Sequence, residues 1–479
     1  MPPSTSLFVR ATCVAALAAA VAPSQSPPPG FVYQTLSVGS LDSVTAMAFL
    51  PDGRLLLAER ETGKIRVFAD GALQATPWAT VAVDGGGSYA EQGLLGIAVD
   101  PGFLTSGYVY VYYTDPSGSE NRIARLRDVG GVGTSFTVLT PSGAIPAIQY
   151  HNGGAMTFGV DGTLFVATGE SLFGPHAQDL NDWRGKVLRF EVPDLTIPAS
   201  NPFPNSPVWS YGHRNHFGLA VHPMTGDLYQ TENGGGLMDE LNRIVPGGNY
   251  GWPMVEGFEP TPDPALVDPI ACYGPPIAPT GMCFYSGSLY PDVLRNVWFL
   301  TDYNQGAVRA VALDATGVGV GAQLVFDDHP GAGFAVTMGP DGNLWFLAND
   351  NYGYGADELG RYVFQPGPWP GLNVMSVSNK TLGGSVTVGI HGSAGGIGVG
   401  WLSLAVAPGP VPTPFGDLFV PLDVVLSAVW MGNDDRGYLA WPVPSDRTLL
   451  GTTIHAQGLH LDAAGQLLLT NATDFVVRG

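Results

Sequence analysis

The sequence predicts an all-β protein, a six-bladed β-propeller followed by a small β-sandwich. Glycine and proline are abundant, with 66 and 41 copies among 479 residues, and only 13% of the residues are charged. This composition is typical of short strands joined by tight turns rather than of long surface helices. The second observation is a turn-and-strand phrase that recurs six times. The third is the loss of that phrase in the last quarter of the chain.

The recurring phrase carries the signal of a β-hairpin. In its first copy, the turn at Asp52-Gly53 begins an apolar strand, and Gly63 turns the chain into a second strand. A hairpin alone leaves one face unburied, and radial packing of several hairpins around an axis buries those faces and shelters the edges. Six copies therefore predict six blades over residues 31–365, with a pair of β-sandwiches as the alternative. The copies begin at Pro51, Asp100, Val160, His222, Leu294 and Gly339.

The pattern changes after the segment PGPWPG at residues 366–371. Short alternating segments such as SVTVGI and LLLTNA replace the hairpin phrase. Alternation of apolar and polar residues is typical of half-buried strands. We therefore predict a second domain over residues 370–479, a small β-sandwich with an adhesive or structural role.

The N-terminal segment has the pattern of a secretory signal. Arg10 precedes an apolar run over residues 11–21, and small residues stand at Ala20 and Ala22. We assign residues 1–26 to the signal and a mature tail, which predicts a secreted or periplasmic protein. No other stretch is long and apolar enough to predict a membrane span.

The charge balance limits the class of ligand. Lys and Arg total 20 and Asp and Glu total 41, which gives a formal net charge of −21. Such a charge repels phosphate backbones and anionic lipid heads, and suits neutral or cationic partners. Nucleic acid is therefore excluded as the expected ligand.

Two cysteines remain once the predicted signal, which contains Cys13, is removed. Cys272 and Cys283 fall in a segment rich in proline and glycine, and an exported compartment permits their oxidation. We predict a single local disulfide between them. Two separate buried thiols are the alternative.

Four glycine-rich phrases between His151 and Trp252 hold the densest group of polar residues. They read HNGGAMTFGVDG, GHRNHFGL, ENGGGLMDELN and GGNYGWP. Innermost strands and their loops converge on one central mouth in a propeller, so polar residues beside those strands become neighbours. The glycines allow a bulky flat ligand to approach the backbone, or simply form tight turns.

Three residues of these phrases are candidates for catalysis. The imidazole of His151 is suited to taking a proton from an alcohol near neutral pH. Arg214 and Asn215 add a fixed cation and an amide that can polarise a carbonyl or quinone oxygen. The alternatives are a structural histidine and a buried arginine that satisfies loop carbonyls.

Oxygen ligands for a hard cation follow in the next phrases. Asp239 and Glu240, with the loop that closes at Tyr250, offer the mixture of carboxylates and backbone carbonyls that calcium takes. A solvated pair of acids at a turn is the alternative.

Taken in order, the motifs resemble the glucose/sorbosone dehydrogenase family over most of residues 31–364. The resemblance is carried by EQGLLGIAVDPGF at Glu91, HNGG at His151, GHRN at Gly212, DELN at Asp239 and NYGWP at Asn249. It implies a six-bladed propeller with pyrroloquinoline quinone (PQQ) over the mouth and calcium beside it. It also implies exported oxidation of an aldose sugar or related alcohol, with electrons passed to an external acceptor.

The resemblance assigns roles to individual residues. His151 matches the general base that deprotonates the anomeric hydroxyl while hydride passes to the quinone. Arg214 and Asn215 match the pair at the reactive quinone oxygen, and with Glu91 they form the expected cofactor-binding set.

The same comparison gives the expected calcium ligands. Glu240 and Tyr250 match calcium-binding positions of the aldose-type branch of the family. Gly234 and Gly235 fall where the glucose-type branch offers backbone carbonyls, and Asp239 completes the predicted set.

One departure from the family keeps a second function open. The quinone has three carboxylates, which the family meets with Lys and Arg from blades 5 and 6. Here the sixth blade reads GAGFAVTMGPDG, and the fifth offers Tyr303 and Asn304 near the expected lysine. The alternative is a propeller without cofactor that binds a glycan or protein, as the related Hedgehog-interacting propeller domain resembles this fold without being a dehydrogenase. Three or more guanidinium groups at the mouth would favour the enzyme, and the candidate substitutes are Arg60, Arg309 and Arg361.

Overall fold

Strands make up nearly all of the regular structure in the computed structural model of this chain. The described residues are 27–28, 30–36, 38–39, 41–87, 90–259, 261, 263–291, 294–314, 316–317, 319–328, 332–349 and 357–365, and the strands within 374–476. The predicted signal segment and the linker at 366–371 lie outside them. Within these ranges, no helix is long and apolar enough to cross a membrane.

The first half of the propeller follows the opening strand, β1 (Phe31–Leu36), and consists of three antiparallel sheets. Blade 1 contains β2 (Val44–Phe49), β3 (Leu55–Glu59), β4 (Lys64–Ala69), β5 (Ala72–Leu73) and β6 (Ala79–Thr80). Blade 2 contains β7 (Leu94–Val99), β8 (Tyr108–Thr114), β9 (Asn121–Val129) and β10 (Val132–Val138), with α1 (Phe103–Ser106) after β7. Blade 3 contains β11 (Met156–Phe158), β12 (Leu164–Thr168), β13 (Lys186–Phe190) and β14 (Val208–Tyr211), with α2 (Pro175–Gln178) after β12.

The second half repeats this plan and closes the ring. Blade 4 contains β15 (Asn215–Val221), β16 (Leu228–Asn233), β17 (Asp239–Ile244) and β18 (Ala271–Tyr273). Blade 5 contains β19 (Pro279–Phe284), β20 (Trp298–Asp302), β21 (Ala307–Leu313) and β22 (Val320–Asp328). Blade 6 contains β23 (Ala332–Met338), β24 (Leu344–Asn349) and β25 (Glu358–Phe364), with β1 as its fourth strand. The six-bladed propeller predicted from the sequence is confirmed.

The first strands of the blades, β2, β7, β11, β15, β19 and β23, form the inner ring. Each contacts the first strands of both neighbouring blades, so the ring closes through β23 and β2. The six hairpin phrases are the second and third strands of the blades, and the register pairs Leu55 with Phe68 in the first. The phrases exclude the inner strands, of which β11 has only three residues.

The hydrophobic core lies between the blades. Both faces of β3 are buried because successive side chains alternate between two neighbours. Leu55 and Leu57 pack with Trp345 of blade 6, whereas Leu56 and Ala58 pack with residues of blade 2. Burial on both faces explains why the second strand of each blade, which is the first strand of each phrase, is a continuous apolar run.

The C-terminal strands form antiparallel sheets of their own. The strands are β26 (Val374–Ser378), β27 (Ser385–His391), β28 (Ile397–Ser403), β29 (Val411–Thr413), β30 (Gly416–Leu418), β31 (Val425–Trp430), β32 (Arg436–Pro442), β33 (Thr453–Leu461), β34 (Leu467–Leu469) and β35 (Thr473–Val476). A three-stranded sheet has the order β26-β27-β32, and β28 lies between β31 and β33 in a five-stranded sheet. Two such sheets agree with the predicted all-β module.

The predicted disulfide is wrong. Cys272 and Cys283 are not joined to each other; β18 carries Cys272 in blade 4, and β19 carries Cys283 in blade 5. Cys272 pairs in register with Glu240, and Cys283 pairs with Phe299. Burial raises the pKa of the Cys283 thiol to about 12, which keeps this sulfur protonated and unreactive.

Candidate functional site

A cavity partly open to solvent lies at the inner ring, and all six blades contribute to its wall. The cavity is lined by Thr45, Arg60, Ala90, Glu91, Leu95, Gly153, Phe217, Asn233, Ala278, Thr280, Tyr303 and Phe334. Most of these residues stand at the start of a first strand or at the end of a second strand, so this is the mouth that the repeat predicts.

His151 is held at the mouth by a buried carboxylate. Its Nδ1 atom lies 2.9 Å and 3.0 Å from the two carboxylate oxygens of Glu170. Both side chains are buried, and the backbone of His151 has a positive φ of 57°. A carboxylate accepts hydrogen bonds only, so Nδ1 donates and Nε2 is left as the proton acceptor. Nε2 has no hydrogen-bond partner among the described residues.

Glu170 was missed by the reasoning from sequence. It follows the second strand of blade 3, and its Oε2 also accepts a hydrogen bond of 2.7 Å from the backbone N–H of Leu172. A signal was available, because acids stand at or just after the ends of the second strands of blades 1, 3, 4 and 5. These acids are Glu59, Glu170, Glu232 and Asp302.

Glu91 connects the predicted catalytic residues. Its Oε2 accepts hydrogen bonds from the backbone N–H of His151 at 2.6 Å and from Nδ2 of Asn215 at 3.1 Å. Asn215 in turn accepts a hydrogen bond of 3.3 Å from the N–H of Gly153. The structure therefore brings Glu91, His151 and Asn215 together, from blades 2, 3 and 4.

Arg214 is bonded to Asn233, a residue of the cavity wall. Its Nη1 donates to the carbonyl of Asn233 at 2.9 Å, and its guanidinium lies 5.3 Å from the ring centroid of Trp252. Within the described part of the chain, Arg214 forms no ion pair, although its charge acts on the Asp239 carboxylate. Two buried atoms next to it, Oδ1 of Asn233 and Nε1 of Trp252, have no hydrogen-bond partner among the residues that the structure describes. Unused buried polar atoms around an arginine indicate a site for a polar ligand.

The two acids of the predicted calcium set are not brought together. They are consecutive residues of β17, so their side chains point to opposite faces of the sheet. The carboxylate of Asp239 accepts from three backbone N–H groups, at Gly234, Ile277 and Ala278. Glu240 accepts instead from the N–H of Gly257 at 2.6 Å.

The environment of Glu240 favours its protonated form. Burial, and then the neighbouring Glu232 carboxylate, raises the pKa of Glu240 to about 8. Asn242 bridges the two acids, with Nδ2 at 3.1 Å from Glu240 and 3.3 Å from Glu232. A divalent cation next to this pair would oppose the repulsion between the acids.

The other predicted calcium ligands offer backbone oxygen only. The hydroxyl of Tyr250 donates to the carbonyl of Arg243 at 2.6 Å and accepts from the N–H of Val245 at 2.9 Å, so it serves the turn. The carbonyls of Gly234 and Gly235 accept no hydrogen bond from any residue that the structure describes. These two carbonyls fit a hard cation, whereas the Asp239 carboxylate and the Tyr250 hydroxyl do not.

A buried histidine network supports the phrase that carries Arg214 and Asn215. His213 bonds Glu232 through Nδ1 at 2.9 Å and Ser210 through Nε2 at 2.8 Å. His216 bonds the side chain of Gln230 at 3.0 Å and the carbonyl of Thr168 at 2.9 Å. The ligand atoms of His213, His216 and Glu232 lie close enough for a metal ion, but all four ring nitrogens already have protein partners. This cluster is therefore hydrogen-bonded core.

Only one of the three candidate substitute arginines lies at the cavity. Arg60 lines it, with Nη1 donating to the carbonyls of Gly85 and Gln92, and it also pairs with Glu61. Arg309 pairs with Asp302 at 2.6 Å, and Arg361 pairs with Asp341 at 2.9 Å. Among the described residues the mouth therefore has two guanidinium groups, those of Arg60 and Arg214.

The fifth-blade residues named by sequence take separate places. Tyr303 lines the cavity. Asn304 instead donates from Nδ2 to the carbonyl of Pro276 at 3.1 Å. The site thus has an aromatic wall where the sequence comparison expected a lysine.

Fold and site together define a six-bladed propeller with an axial site, in which a buried His–Glu pair faces an Arg–Asn pair. The chain belongs to the Glucose / Sorbosone dehydrogenase family, whose sequence model matches residues 41–355. The predicted family membership is confirmed.

The chain aligns with most of the length of several individual relatives. It is 33% identical to the uncharacterized protein slr1608 of Synechocystis sp., over 66% of this chain and 84% of that protein. It is 28% identical to the aldose sugar dehydrogenase YliI of Escherichia coli, over 65% and 89%. The solved PQQ-bound aldose sugar dehydrogenase of Streptomyces coelicolor is 30% identical, with a TM-score of 0.59, over 71% of this chain and 99% of that one.

Proposed function

We propose that the protein is an exported, PQQ-dependent dehydrogenase that oxidises an aldose sugar or a related alcohol, with calcium at the mouth. The observation that carries the proposal is the His151–Glu170 pair, a directed base whose backbone N–H is bonded to Glu91 in the wall of a cavity lined by all six blades. Family membership and the PQQ-bound relative support the cofactor class. We further propose that residues 1–26 supply the export signal and that the propeller occupies residues 31–365.

The base acts through the free nitrogen of its ring. Nε2 of His151 accepts the proton of the sugar's anomeric hydroxyl, and Glu170 stabilises the imidazolium that forms because it holds the Nδ1 proton. The left-handed backbone of His151 is fixed by the Glu91 carboxylate, which keeps the ring in place. A bound quinone would supply the acceptor for the hydride that leaves the anomeric carbon.

Arg214 and Asn215 have different roles in this proposal: Arg214 binds ligand, and Asn215 connects blades. Arg214 meets anionic oxygen, since its remaining donors are unused and Trp252 supports its guanidinium. Asn215 is a bridge between blades, because both of its amide atoms are engaged with Glu91 and Gly153. Arg60 adds a second positive charge at the cavity, although backbone carbonyls already occupy its Nη1.

The proposed calcium site uses the carbonyls of Gly234 and Gly235 at the end of β16. We keep Glu240 in the proposed set because a cation beside it would lower the cost of two adjacent buried acids, Glu240 and Glu232. Tyr250 is kept through its backbone carbonyl. Asp239 instead anchors the backbone of blade 5. We propose the C-terminal sheets, residues 370–479, as an adhesive or structural module.

A ligand-binding propeller without cofactor is the second candidate. The observation in its favour is the number of guanidinium groups at the mouth, two among the described residues, against the three quinone carboxylates. Both functions share the fold, and fold alone does not decide between them. The distinction therefore depends on cofactor affinity.

The deciding experiment is a titration of the purified chain with PQQ and calcium, followed by absorbance, and then by dye reduction with a panel of aldoses. The dehydrogenase binds PQQ tightly and reduces the dye only with sugar. A His151→Ala variant should keep cofactor affinity and lose turnover. Absence of PQQ binding at high concentration would establish the second candidate instead.

A further inference from the structure

Four exposed apolar side chains lie in loops next to residues of the site. Two of them lie in the loop between β12 and β13, one lies in the loop between β16 and β17, and one follows Trp252. They are Leu172, Phe173, Leu237 and Met254, with exposed fractions of 54%, 54%, 72% and 63%. We call these four residues the apolar rim. Exposed apolar groups collected at one site mark a binding surface more often than scattered ones do.

The loops that carry the rim touch one another. A Cβ added to Gly174 would lie 2.6 Å from the Cβ of Pro253, and one added to Gly235 would lie 2.7 Å from Cη2 of Trp252. The loop that follows Glu170 therefore contacts the loop that carries Trp252, next to Arg214. The rim is continuous with the site that binds the reacting groups.

The rim is fixed directly to the catalytic pair. The N–H of Leu172 donates to the same Glu170 oxygen that lies 2.9 Å from Nδ1 of His151. The Phe173 ring packs edge-on against His176 at 4.7 Å, and Nδ1 of His176 bonds the carbonyl of Glu170 at 2.9 Å. A ligand on the rim would thus lie beside the base without displacing it.

The chemistry of the rim favours an apolar ligand over a second sugar ring. Gln178 donates to Asn249 and to the Trp252 carbonyl, and Oε1 of Glu256 accepts from three backbone N–H groups. Hydroxyl groups placed against the four apolar side chains would lose water without gaining hydrogen-bond partners from them. An uncharged ligand also avoids repulsion from the net charge of −21.

We propose that the apolar rim binds a planar, uncharged electron acceptor of the quinone class. This inference rests on the proposed dehydrogenase function. Oxidation of an aldose to its lactone releases two electrons and two protons, and a quinone that takes up both pairs becomes the hydroquinone. The rim holds this acceptor at the mouth, close to the site of sugar oxidation.

The test compares a rim variant with a surface control. The rim variant combines Phe173→Ser with Met254→Ser, and the control is Leu104→Ser, which removes a still more exposed apolar side chain on α1. The probe is a decyl-substituted benzoquinone. Its binding to the full chain without PQQ is followed by quenching of tryptophan fluorescence, to which Trp252 contributes beside the rim. The rim variant should weaken binding by about tenfold or more, and the control should not.

Steady-state kinetics supply the second readout. With PQQ loaded, the rim variant should raise KM for the decyl-benzoquinone by a similar factor and leave KM for sugar and the rate with ferricyanide unchanged. Equal quinone binding in the parent and the rim variant would overturn the inference. A rise in KM for disaccharides alone would also overturn it and assign the rim to sugar. Failure of every acceptor to turn over sugar would instead refute the dehydrogenase, while the fluorescence readout still tests the rim.

Discussion

Nδ1 of His151 lies 2.9 Å from the nearer carboxylate oxygen of Glu170, and each side chain is at most a tenth exposed. The pair fixes the imidazole as an Nδ1–H donor with a free Nε2. The role of Glu170 is positioning, since it acts on the reaction through His151. Several measurable consequences depend on this pair and on the groups that hold it.

The first prediction concerns Glu170→Gln. The Gln amide can donate to Nδ1, which would put the ring proton on Nε2 and remove the base, as in serine proteases with Asn in place of the triad Asp. We expect kcat to fall by about 10²- to 10⁴-fold, with PQQ affinity unchanged. Dye-reduction kinetics and the cofactor titration check this.

Two further variants separate positioning from stability in this experiment. Glu170→Asp keeps the carboxylate and should restore part of kcat. Glu191→Gln, an exposed acid of the same blade, should behave like the parent. A Glu170→Gln variant with the parental kcat and pH profile would remove Glu170 from the positioning role.

The second prediction concerns Glu91→Ala. One oxygen of Glu91 accepts from both the His151 backbone and the Asn215 side chain, and the change leaves these two donors without that acceptor. We expect the free energy of unfolding to fall by about 1–3 kcal/mol, together with kcat. Urea unfolding measures the first effect. Glu191→Ala is the control, and a loss of activity at unchanged stability would show that Glu91 acts on ligand rather than on the loops.

The third prediction is a loss of stability in acid that depends on His216. Burial lowers the pKa of His216 to about 4, below its ordinary value of 6.5. Between these values the unfolded chain binds a proton that the folded chain does not, so stability is complete above pH 6.5 and falls as pH drops towards 4. His216→Gln should flatten this part of the curve. Parallel curves of unfolding free energy against pH for parent and variant would contradict the assignment.

The fold could be predicted because the repeated hairpin is determined by residues that are close together in the sequence. Each second strand is an apolar run between two turns, and both of its faces are buried, as Leu55 and Leu56 show by packing against different blades. Hairpin turns place the third strand next to it. Neither feature needs information from distant parts of the chain.

The site was predicted less completely because its contacts cross between blades. His151 and Arg214 were found from residue type and motif, whereas the partner of His151 was not, although acids stand near the ends of second strands in other blades, as Glu59 does in blade 1. Strand parity alone would have separated Asp239 from Glu240. The two cysteines are near in sequence but fall in different blades, which sequence proximity does not indicate.

The fourth prediction concerns Arg214→Met. The guanidinium makes one hydrogen bond to a backbone carbonyl and stacks on Trp252, and within the described residues it pairs with no acid. Its removal should therefore cost little stability. If the unused donors meet a quinone carboxylate or carbonyl, PQQ affinity should fall by about tenfold or more, because hydrogen bonds to charged groups contribute about 1.5–3 kcal/mol. The cofactor titration and thermal unfolding are measured together.

Arg127→Met, which loses an exposed arginine bonded to the Ser106 carbonyl, is the matched control. Equal PQQ affinity in Arg214→Met and the parent would place the cofactor elsewhere or exclude it, whereas a large loss of stability would assign Arg214 to the fold.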